Sequence, residues 1–288
     1  MKQLVAAEFQ KILGRRMTWI LLILLQLVGP VTILLFKLIS QVQLDDVGLT
    51  EALGSLIGFP NGYLAVLALN VEFGSLLVIV FAAFFVGSEF GWGTIRQLFA
   101  RGPQRHEVIM AKLLALIGSV VAAVTLTMLI SGVVMWVADL AFGTIAVAPP
   151  NNFGLDLLDR YLGTIGLLLF YGTVAFAVAI LTRSAAAGMA IPLVFGFFTP
   201  FITEIASAVG DGFWDELPNY LPHRLEPTAY GQETLMAVFS GLSAEGDFSV
   251  QYEGPTRAES IGLLSLYALV LLGLGFLATA RRDFPQSG

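Results

Sequence analysis

The sequence lacks cysteine and is poor in histidine and in charge, and each shortage excludes a class of function. With no cysteine in 288 residues, the chain has no disulfides, no thiolate metal site and no thiol catalysis. Two histidines, His106 and His223, are too few for a multi-histidine metal centre. Charged residues make up 12% of the chain, which is about half of their share in soluble proteins. A soluble surface with so few charges would carry large apolar patches.

Motifs of common catalytic sites are missing as well. The sequence contains no Walker-type phosphate loop, no His-Glu-x-x-His zinc motif and no Gly-x-Ser-x-Gly nucleophile elbow. We therefore expect no catalytic residue, no metal site, no cofactor bound by this chain and no nucleic-acid partner. The apolar stretches also hold few ionisable residues, and we expect Glu72 and Glu204 near the outer ends of their spans. This scarcity argues against an ion-coupled carrier and against an intramembrane hydrolase.

Apolar residues are what the chain has in abundance, at 57% of the sequence. A membrane helix needs about 20 mostly apolar residues, and the chain has six such stretches. The predicted fold is therefore all-α, a polytopic membrane protein with six transmembrane helices. The spans are predicted at residues 18–39, 70–87, 113–138, 161–182, 184–203 and 260–280. We expect an interfacial or re-entrant piece before the second span, a third span that begins no earlier than Val108, and an outer segment at 204–259.

The basic residues lie mostly on one side of this six-span arrangement. Eleven of the 15 lysines and arginines fall in the N-terminal segment, in the connection 88–112, at Arg183 and after the sixth span. Most of the 21 acidic residues lie on the other side. The positive-inside rule then predicts a multi-pass protein of the cell membrane with both termini in the cytoplasm.

The first 16 residues have an amphipathic pattern. Apolar residues recur at helical spacing on one face, and basic residues lie on another. The pattern predicts a short helix on the inner membrane surface, with its basic residues facing lipid head groups. The residues of this surface helix are Val5, Phe9, Lys11, Ile12, Arg15 and Arg16. The alternative is a flanking segment that only sets the topology.

The connection 88–112 contains a second amphipathic pattern. Trp92, Ile95, Leu98 and Phe99 fall on one helical face, and Gly102-Pro103 ends the pattern. A connection that only sets topology needs basic charge and no apolar face. This face could pack on the membrane surface or on a cytoplasmic partner protein, and the physical argument leaves both open.

The same connection resembles that of the type-2 class of ABC exporter permeases. The positions that carry the resemblance are Glu89, Gly93-Thr94, Arg96, Gly102-Pro103, Arg105 and Lys112. Weaker matches occur at Gly14-Arg15-Arg16 running into Trp19, at Arg183-Ser184 and at Leu221-Pro222. The resemblance extends over essentially the whole chain and implies a single transmembrane permease domain at 1–288.

The resemblance also implies a mechanism and partners. Two six-span permeases, identical or different, would pair in the lipid bilayer, and two copies of a separate ATPase would dock below and bind ATP and Mg²⁺. A cytoplasmic coupling helix would lie between spans two and three, and a re-entrant outer segment between spans five and six. The implied ATPase-coupling residues are Glu89, Gly93, Thr94, Ile95, Arg96, Leu98 and Arg105.

Two other interpretations compete with this non-catalytic exporter subunit. One is a stand-alone six-span channel or passive carrier, and the other is an intramembrane enzyme, which has the least support because no catalytic constellation exists. Individual residues also have simpler interpretations. Glu89 could be an interfacial carboxylate paired with Arg96, and Phe195, Phe197 and Phe198 could contact lipid or line a hydrophobic path.

Overall fold

The described part of the protein consists of helices and turns, with no strand. The computed structural model describes residues 1–41, 59, 61–93, 104–142, 152–209, 216–230 and 255–281. The helices are α1 (Lys2–Gly14), α2 (Arg16–Gln41), α3 (Asn61–Gly91), α4 (Arg105–Phe142), α5 (Phe153–Thr182), α6 (Ala185–Val209), α7 (Pro222–Tyr230) and α8 (Arg257–Arg281), with a 3₁₀ turn at Leu217–Tyr220. Six of these helices, α2 to α6 and α8, are long and apolar enough to cross a membrane. The predicted all-α, six-span fold is confirmed.

The second span begins earlier than the sequence predicted. Helix α3 starts at Asn61, and residues 61–69 continue the same helix instead of forming a separate interfacial piece. Val66 and Leu67 are buried, so this first part of α3 packs inside the bundle. As a consequence, Glu72 is not near the end of its helix, because it is the twelfth residue of 31.

The third span also begins earlier than predicted. Helix α4 starts at Arg105 and includes His106 and Glu107, which precede the predicted start near Val108. The backbone N–H of Gln104 donates a hydrogen bond to the Glu107 carboxylate at 3.3 Å. This contact resembles one half of a capping box, in which a carboxylate at the third helical position satisfies a backbone donor at the helix N-terminus. Polar residues therefore form the first turn of α4.

Helices α3 and α5 form the centre of the bundle. Their contact buries Phe85 and Ile79 of α3 together with Leu168 and Phe176 of α5. Helix α6 also approaches α3 closely, since a side chain on Gly87 would meet the backbone of Ala185. By contrast, α2, α6 and α8 present many exposed apolar side chains, as expected for surfaces that face lipid.

The turn between α5 and α6 makes these two helices antiparallel neighbours. Arg183 ends α5 in the left-handed conformation, with φ 53° and ψ 31°. The Ser184 hydroxyl then accepts a hydrogen bond from the backbone N–H of Ala187 at 3.3 Å and caps α6. The turn therefore contains only two residues outside the helices.

The segment predicted to lie on the outer side contributes the short helix α7 to the bundle. Leu225 and Ala229 of α7 are fully buried against Leu167 of α5 and Leu264 of α8. Residues 210–215 and 231–254 of the predicted outer segment lie outside the described residues. The re-entrant character of this segment and the surface position of α1 stay predictions, because no described contact places either one relative to a bilayer.

Candidate coupling site

Helix α1 packs against α4 through the apolar face that the sequence predicted. Ile12 is buried, and the Phe9 ring lies against Gly118 of α4. A side chain at position 118 would meet the Phe9 ring, so the glycine allows α1 to approach α4. The chain between α1 and α2 turns at Arg15, which has an extended backbone. This geometry places the end of α1 beside the last turn of α3.

A network of charged side chains joins α1, α3 and α4. Lys112 of α4 contacts Glu8 of α1 at 2.7 Å and Glu89 of α3 at 2.9 Å. Lys11 contacts Glu8 at 2.6 Å and Glu89 at 3.3 Å. We call Glu8, Lys11, Arg15, Glu89 and Lys112 the ion cluster. Since Glu8, Glu89 and Lys112 are each less than 5% exposed, most of this network is buried.

Arg15 joins the cluster to the backbone of α3 and to two aromatic rings, one in α3 and one directly after it. Its guanidinium donates hydrogen bonds to the Phe85 carbonyl at 3.2 Å and to the Ser88 hydroxyl at 3.1 Å. It also lies 3.5 Å from a Glu89 carboxylate oxygen. The rings of Phe85 and Trp92 are within 6 Å of the guanidinium carbon, which is the range of cation–π attraction.

The charges of the cluster support one another electrostatically. Burial would lower the pKa of Lys11, but its hydrogen bond to Glu8 and the charge of Glu89 outweigh burial and raise the pKa above its ordinary value. Lys11 is therefore charged at neutral pH. Three basic and two acidic groups share this site, and a buried charge is tolerated only when it is paired in this way.

Residues of the ion cluster lie just before and just after the predicted coupling helix in the sequence. Glu89 lies in the last turn of α3, and Gly93 follows the helix with a φ of 70° that favours glycine. Lys112 lies two turns into α4, and the Arg105 backbone begins that helix. The other predicted coupling residues, Thr94, Ile95, Arg96 and Leu98, lie outside the described residues. The two ends of this segment are thus held together by the contact between Glu89 and Lys112.

The structure gives several predicted residues different neighbours from those expected. Lys11 and Arg15 were expected to face lipid head groups, but both contact Glu89. Glu89 was expected to pair with Arg96 if it had only an interfacial role, whereas its described partners are Lys11, Arg15 and Lys112. Arg16 is exposed and Val5 is half-buried. No described contact tests a role of these residues in coupling.

Sequence reasoning missed two members of the cluster as site residues, Glu8 and Lys112. Glu8, Lys11 and Arg15 share one helical face, which was visible in the sequence. Glu8 is separated from Lys112 by 104 positions and from the α3 end by about 80. The signal that could have found the site is Glu89 itself, because a carboxylate at the end of an apolar span needs a basic partner.

The sequence matches a known family of transporters. A family model described as an ABC-2 family transporter protein matches residues 4–199. A search of curated proteins gives no match. The matched range runs from α1 into α6 and includes the whole ion cluster. More than half of the chain is covered, and the chain therefore belongs to the ABC-2 transporter family as a multi-pass membrane permease.

Proposed function

We propose that this permease is the membrane subunit of an ATP-driven exporter and that a separate ATPase docks on α1 and on the segment between α3 and α4. The observation that carries the proposal is the buried ion cluster. It ties the helix before the first span to both ends of the segment between the second and third spans. A partner that moved this segment would therefore move α1, α3 and α4 together.

The chemistry of the cluster favours coupling over a purely topogenic role. A topogenic segment needs exposed positive charge. Here Lys112 is 2% exposed and is neutralised by Glu8 and Glu89. Burying charges costs several kcal/mol per ion, and good geometry must repay that cost. Such an arrangement fixes the relative positions of three helices, which is what a force-transmitting element requires.

Helix α3 provides a path from this surface to the interior of the protein. It has 31 residues from Asn61 to Gly91, so it is about 46 Å long at 1.5 Å per residue. Glu89 at one end belongs to the ion cluster, and Glu72 lies near the middle. Because α3 packs tightly on α5 and α6, a displacement of its cytoplasmic end would reach the centre of the bundle as a rigid-body movement.

A second permease copy completes the translocation path in this proposal. Glu72 is exposed on α3, at the level of exposed Phe197 and Phe201 of α6. A charged residue that faced lipid at mid-span would cost about 2.5–3.5 kcal/mol. A second six-span subunit that covered this face, with an aqueous path between them, would remove that cost. The complex would lie in the cell membrane. Two ATPase copies would bind ATP and Mg²⁺ on its cytoplasmic side, which is the side where most basic residues lie.

The test measures whether variants of the segment between α3 and α4 still bind the ATPase. The permease is affinity-purified from its native membrane, and a co-purifying chain with a phosphate-binding loop is measured together with its ATP turnover. Ile95→Asp and Leu98→Asp should each lose the ATPase, because truncation of an interface anchor costs about 1–4 kcal/mol. The matched control is Leu155→Asp, an apolar and exposed position at the start of α5.

The result that would overturn the proposal is equally specific. If no ATPase co-purified with the native permease, or if both segment variants retained it at the level of the Leu155→Asp control, the docking surface would be wrong. The stand-alone channel or passive carrier would then be the better interpretation.

A further inference from the structure

A cavity of about 730 Å³ lies between α3, α5, α6 and α7. Its polar lining includes the carboxylates of Glu72 and Glu226 and the hydroxyl of Tyr171. The remaining lining is largely apolar, with Phe197, Phe198 and Phe201 of α6 on one side. Cavities of about 300–1,000 Å³ with a few polar groups are typical of sites for small organic molecules.

The two carboxylates of the cavity differ from the other charged groups of the bundle. Glu8, Glu89 and Asp139 each contact a lysine or an arginine. Within the described ranges, no ion pair joins Glu72 or Glu226 to a basic side chain. Glu226 instead accepts a hydrogen bond from the Tyr171 hydroxyl at 2.6 Å. The cavity therefore has negative charge that the described residues do not balance.

The aromatic side of the cavity is suited to an organic cation. Phe197, Phe198 and Phe201 form a compact group with ring centroids 5.4 to 6.3 Å apart. All three rings are at least half exposed in this chain, so they are accessible from the cavity. Aromatic faces attract cations, most strongly where water is excluded. Carboxylates opposite a group of phenylalanines thus favour a charged and lipophilic ligand.

We infer that this cavity binds a lipophilic monovalent organic cation as the transported substrate. Glu226 provides the main counter-charge, Tyr171 orients it, and Glu72 provides a second negative charge from α3. The phenylalanines of α6 contact the apolar part of the ligand. An inorganic metal ion fits less well, since three of the named lining groups are hydrocarbon rings and the described residues contain no group of three or more metal-ligating side chains.

The position of the cavity supports its part in transport, a role that rests on the function proposed above. Glu72 belongs to α3, the same helix that carries Glu89 of the ion cluster. Pro192 and Pro200 interrupt the hydrogen bonding of α6 beside the phenylalanines. Movement of α3 relative to α6 would therefore change the distance between the carboxylate of Glu72 and the rings. Binding itself needs no ATPase, so it can be tested separately.

The experiment measures equilibrium binding of tetraphenylphosphonium to the full chain in nanodiscs, with empty nanodiscs subtracted. We expect saturable binding to the wild type, and at least a tenfold weaker affinity in Glu226→Gln and in Glu72→Gln. Glu204→Gln is the matched control, because Glu204 is a carboxylate on α6 that does not line the cavity. Tetraphenylborate, which has the same shape and the opposite charge, should show no saturable binding when it is titrated separately.

Three outcomes would overturn the inference: no saturable binding of tetraphenylphosphonium to the wild type, equal affinities in wild type and both cavity variants, or equally tight binding of tetraphenylborate in the separate titration. Thermal unfolding of each variant shows whether it is folded. Glu72→Gln keeps the test decisive even if Glu226→Gln does not fold, because no described side chain hydrogen-bonds to the Glu72 carboxylate, and the Ser75 hydroxyl donates only to the Glu72 backbone carbonyl. If no ATPase co-purified with the native permease while tetraphenylphosphonium binding was intact, the proposed function would be refuted and the cation site would stand.

Discussion

Lys112 is the residue on which the ion cluster depends most. It is 2% exposed, contacts Glu8 and Glu89, and lies 4.7 Å from the centre of the Phe85 ring. Lys112→Met should lower the free energy of unfolding by about 3–5 kcal/mol, because it leaves buried carboxylates short of a counter-charge. Thermal or denaturant unfolding of the purified permease in detergent measures this loss.

Lys2→Met is the control for this substitution, since Lys2 is an exposed lysine on α1 and lies outside the ion cluster. A change within about 0.5 kcal/mol is expected there. Glu89→Gln introduced together with Lys112→Met should cost less than the sum of the two single changes, because the two side chains are in contact. If Lys112→Met were as stable as Lys2→Met, the cluster would not hold the three helices together.

Glu226 gives the cation site a dependence on pH. Burial raises the pKa of Glu226 to about 7, and the charge of Glu72 also raises it against the opposing hydrogen bond from Tyr171. The neutral acid therefore becomes more populated as pH falls through 7, and a cation prefers the ionised form. Tetraphenylphosphonium affinity should fall by up to about tenfold between pH 8 and pH 6.

The groups that face Glu226 are Tyr171 from α5 and Glu72 from α3, while α8 packs on α7 mainly through Leu264 and Tyr267. Arg257 of α8 is engaged with Asp159 and with the Ala229 carbonyl. Glu226→Gln should consequently flatten the pH profile of cation binding. If cation affinity depended on pH as steeply in Glu226→Gln as in the wild type, a group other than Glu226 would be the one that titrates.

At the scale of elements, the contact between α3 and α6 depends on Gly87. A side chain there would meet the backbone of Ala185, which cannot move away as a flexible side chain would. Gly87→Val should destabilise the permease by about 1–3 kcal/mol through overpacking. Gly91→Val is the matched control in the same helix, because nothing lies within 4 Å of a side chain at that position. Equal unfolding temperatures for the two variants would contradict the close approach of α3 and α6.

The elements show how far the sequence can predict this fold. Uninterrupted apolar stretches identify the six spans because a bilayer requires them. The start of α3 was misplaced because hydropathy does not distinguish a buried helix from an interfacial piece, and the error put Glu72 too near a helix end. The start of α4 was misplaced because His106 and Glu107 are polar, although Glu107 caps the helix.

The ion cluster could be predicted from the sequence in part, whereas the contact between Tyr171 and Glu226 in the cavity could not. The predicted face of α1 does pack, and the sequence could identify Glu89 as a carboxylate that needs a partner. Its partners could not be identified, because Lys11 and Arg15 are more than 70 positions away and meet Glu89 only through the folding of α1 onto α4. The contact between Tyr171 and Glu226 likewise joins α5 to a short helix of the outer segment.

On the scale of the whole molecule, α3 connects the proposed ATPase surface to the proposed cation site. Glu89 attaches the C-terminal end of α3 to α1 and α4, and Glu72 lines the cavity near the middle of the helix. Signals should pass in both directions along such a helix, since coupling between two sites is reciprocal for binding. A bound cation should therefore alter the affinity of the ATPase for ATP, and with it the ATP turnover at subsaturating ATP. The attachment of α3 to the cluster should be necessary for that effect.

Glu89→Gln tests this attachment without removing the docking surface. Lys112 keeps its contact with Glu8, so α1 and α4 stay joined and the ATPase should remain bound. The end of α3 loses its carboxylate contacts with Lys11, Arg15 and Lys112 and keeps only the hydrogen bonds from Arg15 to Phe85 and Ser88. Cation-stimulated ATP turnover should therefore fall towards the unstimulated rate in the assembled complex. Asp159→Asn is the control, because its ion pair with Arg257 is half exposed and contributes about 0–1 kcal/mol. An assembled Glu89→Gln complex whose turnover still responded to the cation would show that the ion cluster only stabilises the fold and that the signal travels by another helix.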